Sequence, residues 1–312
     1  MAERSLHWPR RSTAHGAWAV DLDPATAAWR WSSLRVLDLA AGASVRFSTS
    51  HDEILVLPLA GSCHVRCGPE QVRLAGRRSV WEAPTDFAYA PPGSDLVLSS
   101  EHGGRFALPG ARALGSDLPF RHHRADGVQV ELRGAGNCSR RVANYCMPAT
   151  FAAERLICCE VFTPSGNWSS YPPHKHDEPG PQESELEEIY YFEVAPGPSG
   201  ESGIAYQRVY GTPRRPIDMT VEVHDGDVVL VPHGYHGPSM AAPGYDLYYL
   251  NVMAGPGERA WLVTFDPAHE WARAAWATQA VDPRLALPAA PASRAGQSAD
   301  QSGGLAAQGR QP

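Results

Sequence analysis

Two histidines one residue apart, His174 and His176, follow the stiff dipeptide Pro172-Pro173. Side chains on an extended strand alternate with period two, so both imidazoles project from one face and can reach a single ion. Lys175, between them, alternates to the other side. Further along, Glu188 heads Ile189-Tyr190-Tyr191-Phe192, a β-branched and aromatic run that reads as a strand. Asp225-Gly226 then makes a turn, Asp227 to Val231 a buried strand, and Pro232-His233-Gly234-Tyr235-His236 a corner that aims His236 inwards. Three imidazoles and one carboxylate suit a divalent metal, zinc first, with manganese, iron and nickel also compatible. Glu183, Glu185 and Glu187 compete for the carboxylate position; Glu188 is preferred because the strand follows it directly. A His-x-His pair alone is a common surface feature, and the glutamate-led strand and the Pro-x-Gly-x-His corner turn it into a metal constellation.

An ion held this way keeps positive charge and open positions, and is a Lewis acid for neighbouring oxygens. Polarising the carbonyl of an α-hydroxy aldehyde acidifies the adjacent C–H, which is the chemistry of aldose–ketose isomerisation. A proton mover is then needed. Glu187, Tyr248 and His233 are the candidates taken, with Lys175 and Asp246 as further options. For an acidic substrate Arg208 is the first choice, because guanidinium pairs with carboxylates in a two-pronged geometry.

The elements that must position these residues are strands. Glycine (29) and proline (28) punctuate short apolar runs throughout the 312 residues, which predicts an all-β fold, and the length predicts two domains. Strands are expected at 33–39, 53–61, 62–67, 80–82 and 87–93, then at 155–163, 188–194, 203–210, 219–223, 227–232 and 246–253. Residues 99–144 read as a polar crossing, with Arg121-His122-His123-Arg124 as a charged loop. A short helix is expected over 270–277, and the Ala/Pro/Gly/Ser/Gln-rich stretch 281–312 reads as a disordered tail.

His-x-His, a strand-opening Glu, and Gly-(five residues)-Pro-x-Gly-x-His resemble the paired motifs of the cupin superfamily. The flanking Gly166-Asn167-Trp168-Ser169-Ser170-Tyr171-Pro172-Pro173, Gln207-Arg208-Val209-Tyr210 and Gly244 to Pro256 resemble the 5-deoxy-glucuronate isomerase family of myo-inositol catabolism. The resemblance implies a bicupin, two β-sandwich or jelly-roll barrels in tandem. Residues 1–135 would be a barrel without metal ligands, with its linker, and 136–280 the metal-binding barrel. Ser48, Ser50 and Asp95 stand in the first barrel where histidines are expected. The implied reaction is conversion of 5-deoxy-D-glucuronate to 5-dehydro-2-deoxy-D-gluconate. The resemblance also implies Arg140 or Arg141 near the substrate carboxylate, and Arg141 joins Lys175 and Arg208 as a substrate-binding candidate. An iron cupin oxygenase and a non-catalytic sugar-binding cupin are the competing functions.

The formal net charge of −7 and the lack of a clustered basic face argue against nucleic acid. No apolar run is long enough for a bilayer, and the first residues lack a secretory apolar core, so a cytoplasmic protein is expected. Six cysteines without framework spacing read as free thiols. Exposed barrel edges predict a homo-oligomer.

Overall fold

The computed structural model describes residues 5–115 and 117–286. Its strands form three large antiparallel sheets and one small hairpin. The first half is a nine-stranded sheet folded on itself, built around the long strand Asp52–Cys67. That strand bends at Gly61: residues before it pair with Gly104–Arg112 and Phe87–Ala90, residues after it with Glu70–Arg77 and Asp95–Ser99. The second half stacks a seven-stranded sheet on a six-stranded one.

The seven-stranded sheet lies in the middle of the molecule, so both of its faces are buried. One face packs on the first half, where Ile189, Tyr191, Tyr248 and Leu250 meet Leu55, Leu57, Phe87 and Tyr89. The other packs on the six-stranded sheet through Tyr190, Phe192, Tyr249 and Val209. A third apolar cluster fills the first half itself. The interface core has a buried ion pair at its centre: Arg77 holds both oxygens of Glu160 at 2.9 and 2.6 Å, and Tyr248 donates to Glu160 at 3.0 Å.

Two reciprocal contacts tie the halves together. Glu53, fully buried at the head of its strand, accepts the backbone N–H groups of Glu154, Arg155 and Leu156 and the hydroxyl of Tyr89. Glu187, at the head of Glu187–Val194, accepts those of Arg30, Trp31 and Ser32. The ladders agree with this correspondence. Ile54 lies opposite Gly110 and Gly110 opposite Ser33, while Glu188 lies opposite Met253 and Met253 opposite Ile157.

Several expectations need correction. Val80–Glu82 is not a strand, and 99–144 is no crossing: Gly104–Arg112 is a central strand of the first sheet. Arg121–His123 is a strand on Phe87–Ala90, and His122 contacts Asp86 at 3.1 Å. Gln129–Arg133 pairs with Arg140–Cys146, so a boundary at 135 would cut a hairpin of the second half. His7–Trp8 likewise pairs with Val228–Val229, which places this strand in the second half. Residues 281–286 are ordered, with Leu285 buried; the rest of the expected tail lies outside the described residues. The expected helix is present as Trp271–Ala275 followed by a 3-10 turn, Trp276–Thr278. All six cysteines are free, and burial pushes the Cys63, Cys146 and Cys159 thiols up to about 12. No described helix is long and apolar enough to cross a membrane.

Candidate metal centre

His174 lies directly opposite His236 in the ladder between His174–Lys175 and Tyr235–Ala241. The backbone just after His236 depends on Gly237, whose φ is +99°; a Cβ there would fall 1.8 Å from the Ser170 carbonyl. Nitrogen atoms of His174, His176 and His236 come within 4.8 Å of one another. Glu188 comes in from the facing sheet, its Oε2 3.1 Å from His176 Nε2 and 2.9 Å from His236 Nε2. Asn251 donates to Glu188 Oε1 at 2.7 Å and fixes the carboxylate plane. His176, His236 and Glu188 are buried.

This constellation fits a metal ion. The Nδ1 atoms of His174 and His236 face the carbonyls of Pro172 and Gly234 at 3.4 Å, the arrangement that leaves Nε2 free as a ligand. His236 Nε2 is buried without a hydrogen bond, although Glu188 Oε2 is close by. Acceptors converge this tightly only around a proton or a cation. The electrostatics agree. Burial, with the neighbouring imidazoles, holds His174 well below the usual histidine range. Burial also opposes charge on His176 and Glu188, yet their mutual attraction prevails: His176 is raised, and the imidazoles bring Glu188 down to about 2.

His174 and Glu188 sit in the wall of a cavity of about 410 Å³ between the two sheets of the second half. Three guanidiniums line it, those of Arg133, Arg140 and Arg273. Arg133 is paired with Glu131 at 2.9 Å. Arg140 donates at 3.1 Å to the Cys138 carbonyl, and no carboxylate partner is found for it among the described residues. Ser170 Oγ stands 3.1 Å from the hydroxyls of both Tyr190 and Tyr249, forming a hydroxyl chain along one wall. Burial pushes both phenols up, so they are neutral donors.

The other sequence candidates lie elsewhere. Glu187, Tyr248 and Arg141 alternate onto the interface face of the middle sheet: Glu187 binds the 30–32 backbone, Tyr248 binds Glu160, and Arg141 donates to the Glu82 carbonyl at 2.7 Å. Their neighbours Glu188, Tyr249 and Arg140 face the cavity instead. Lys175 is clamped by Asp177, Glu178 and Glu183 at 3.0, 3.3 and 2.7 Å, away from the imidazoles. His233 is half-buried beside Arg215, which with burial lowers it, and is not part of the cavity wall. Asp246 caps a turn, accepting from the Ser165 backbone at 2.8 Å. Arg208 pairs with Asp218 on the outer sheet and lines a shallow neighbouring depression. Ser48 lies opposite Asp95 in the first half, and both are exposed. Arg133, Tyr190 and Asn251 went unseen as site residues; only Tyr190 carried a signal, its shared parity with Glu188 on one strand, whereas Arg133 and Asn251 lie on other strands.

A model of the KduI/IolB family matches residues 6–272. A 5-deoxy-glucuronate isomerase from Geobacillus kaustophilus (strain HTA426) is 42% identical over 255 residues, which cover 81% of this chain and 89% of that protein. The protein of the same name from Bacillus subtilis (strain 168) is 41% identical over 243 residues, 76% of this chain and 86% of its own. The crystal structure of an IolB-like protein from Salmonella typhimurium LT2 is similar with a TM-score of 0.79 at 33% identity, covering 86% of this chain and 99% of that one. An oxalate decarboxylase from Lactobacillus farciminis, 12% identical, shares the cupin-like fold with a TM-score of 0.60 over 85% of this chain and 89% of its own. With a family model that spans most of its length and relatives above 40% identity, the chain belongs to the KduI/IolB family.

Proposed function

We propose that this protein is a 5-deoxy-glucuronate isomerase that converts 5-deoxy-D-glucuronate to 5-dehydro-2-deoxy-D-gluconate in inositol catabolism. The reading is carried by one juxtaposition: a three-histidine, one-glutamate cluster, buried except for the half-buried His174, opens onto a cavity whose walls bear three guanidiniums. It is supported by the isomerase name of relatives at about 40% identity. His174, His176, Glu188 and His236 would hold a divalent ion, zinc first on donor type. When bound, that ion supplies Lewis acidity for a carbonyl oxygen and its neighbouring hydroxyl.

The chain's own groups do the rest. Arg140 takes the substrate carboxylate, since a guanidinium without an internal carboxylate partner has its donors available for a two-pronged pair. The Tyr190–Ser170–Tyr249 hydroxyls donate to the sugar oxygens and can pass a proton from the C2 hydroxyl towards the C1 oxygen, the exchange that accompanies movement of hydrogen from C2 to C1. Asn251 keeps Glu188 oriented by its hydrogen bond. Apolar walls from Val142, Val161, Val263 and Phe265 exclude water from the reacting carbons. We also read the two halves as duplicated cupins, on the reciprocal Glu53 and Glu187 contacts and the matching ladder registers.

The test is metal content with turnover of 5-deoxy-D-glucuronate, wild type against His236→Ala. Joint loss of stoichiometric metal and isomerisation is expected. A metal-loaded wild type that leaves the sugar unchanged would overturn the assignment.

A further inference from the structure

The cavity is roofed by a segment beyond the last strands. After Asp266, whose N–H donates to the Pro173 carbonyl, the chain forms the helix Trp271–Ala275 and the turn Trp276–Thr278. Arg273 and Trp276 of this segment line the cavity. The Trp276 ring covers the Arg140 guanidinium at 5.5 Å, and Arg273 lies over the Phe265 ring at 4.4 Å. The family match ends at residue 272, so both cavity residues come from outside the matched span.

The segment is held from its far end. Gly136 donates its N–H to the Ala280 carbonyl at 2.8 Å, and a Cβ at Gly136, where φ is +54°, would lie 2.3 Å from Gln279 Oε1. Asp282 accepts from Asn167 Nδ2 at 2.9 Å and donates its own N–H to Ser139 Oγ at 3.0 Å. Arg284 donates to the Ser165 carbonyl at 3.0 Å, and Leu285 is fully buried. Ser139 and Gly136 belong to the loop that leads into Arg140, so one clasp sets both the roof and the arginine beneath it.

We propose that residues 271–285 form a strap that makes a dry carboxylate subsite, with Trp276 sealing Arg140 from solvent, and that this subsite selects acidic sugars over neutral ones. The sugar's identity rests on the isomerase reading; the selection for a carboxylate does not. A guanidinium covered by an aromatic ring is poorly screened, so it pairs more strongly with an incoming carboxylate than an exposed one would. A neutral hydroxymethyl group gains little there.

The test uses the full chain, as wild type, Trp276→Ala and Asp282→Ala, with D-glucuronate and D-glucose as probes in isothermal titration. Wild type should prefer the acid. Trp276→Ala should weaken glucuronate binding about tenfold, a loss of ~1.4 kcal/mol, and make it more salt-sensitive, with glucose binding unchanged. Asp282→Ala, remote from the cavity, should weaken it by roughly threefold in the same selective way. Metal content and melting temperature monitor the fold. Equal binding of both sugars by the wild type, or equal weakening of both in the variants, would overturn the strap. Turnover of 5-deoxy-D-glucuronate by the wild type decides the isomerase reading separately: strap-dependent binding without turnover removes that reading and keeps the subsite.

Discussion

Replacing Glu187 separates structure from catalysis, because its position in the sequence suggests a base beside the metal while its contacts are those of a staple. Its carboxylate accepts three backbone N–H groups from residues 30–32 and points away from the cavity that holds His174 and Glu188. Removing it orphans three donors, each costing about 1–3 kcal/mol if left dry. They need not stay dry. Glu187 and residues 28–31 line a second cavity of about 440 Å³ that admits water, so Glu187→Ala should cost only about 1–3 kcal/mol in total. Glu53→Ala removes the partner of four donors from a fully buried position and should cost more, about 4–6 kcal/mol. Urea unfolding followed by tryptophan fluorescence measures both losses. For Glu187→Ala the kcat of folded, metal-loaded protein should stay within about threefold of wild type. A fall of about a hundredfold in kcat at unchanged stability would mean that Glu187 moves the proton and that the staple is incidental.

Other perturbations follow from the same contacts. Arg77→Ala leaves Glu160 buried and unpaired between the halves and should cost about 3–5 kcal/mol by urea unfolding, whereas Arg77→Met combined with Glu160→Leu should cost far less. Asp227 is held below the usual carboxylate range: burial opposes its charge, but His7 and the N–H groups of Arg10 and His224 outweigh it. A depressed carboxyl stabilises the fold above its unfolded value and loses that contribution as pH falls through the folded one. Asp227→Asn should therefore cost about 1–2 kcal/mol at neutral pH, and the gap to wild type should close below about pH 4. If the proposed ion is held as described, a chelator should abolish turnover and lower the melting temperature by roughly 5–10 °C, with zinc restoring both, because only the folded chain brings His174, His176, Glu188 and His236 together.

The cluster of His174, His176, His236 and Glu188 was legible because its signals are local. Period two puts His174 and His176 together, the Pro-x-Gly corner turns His236 inwards, and the strand after Glu188 locates the carboxylate. The strands around it were also legible, since their apolar runs end at Gly and Pro. Gly104–Arg112 was hidden by Gly104, Pro109 and Gly110, which read as loop residues yet lie within a buried strand. Glu187, Tyr248 and Arg141 were misassigned for one shared reason. The strands of the middle sheet are apolar on both faces, so no alternation of polarity reveals which side of each strand faces the cavity. Only the three-dimensional partner of each face decides it.

The same parity explains how two similar halves come to differ in chemistry. Aligning Glu53 with Glu187 aligns Ile54 with Glu188, and their ladder partners Gly110 and Met253 correspond in turn. Two residues before those partners, Leu108 stands in line with Asn251, the residue that orients Glu188. Ile54 and Leu108 join Val56, Phe106 and Leu96 in the apolar cluster inside the first half. The positions that carry Glu188 and its orienting Asn251 amide in one half thus carry hydrocarbon in the other. At roughly 25 cal/mol per Å² of apolar surface removed from water, hydrocarbon there stabilises a fold that a buried carboxylate would weaken unless a cation or several hydrogen-bond donors accompanied it. The glutamate kept in both halves, Glu53 and Glu187, is the one that faces the interface. The staple needs a carboxylate in each half, whereas the proposed ion site needs one in a single half.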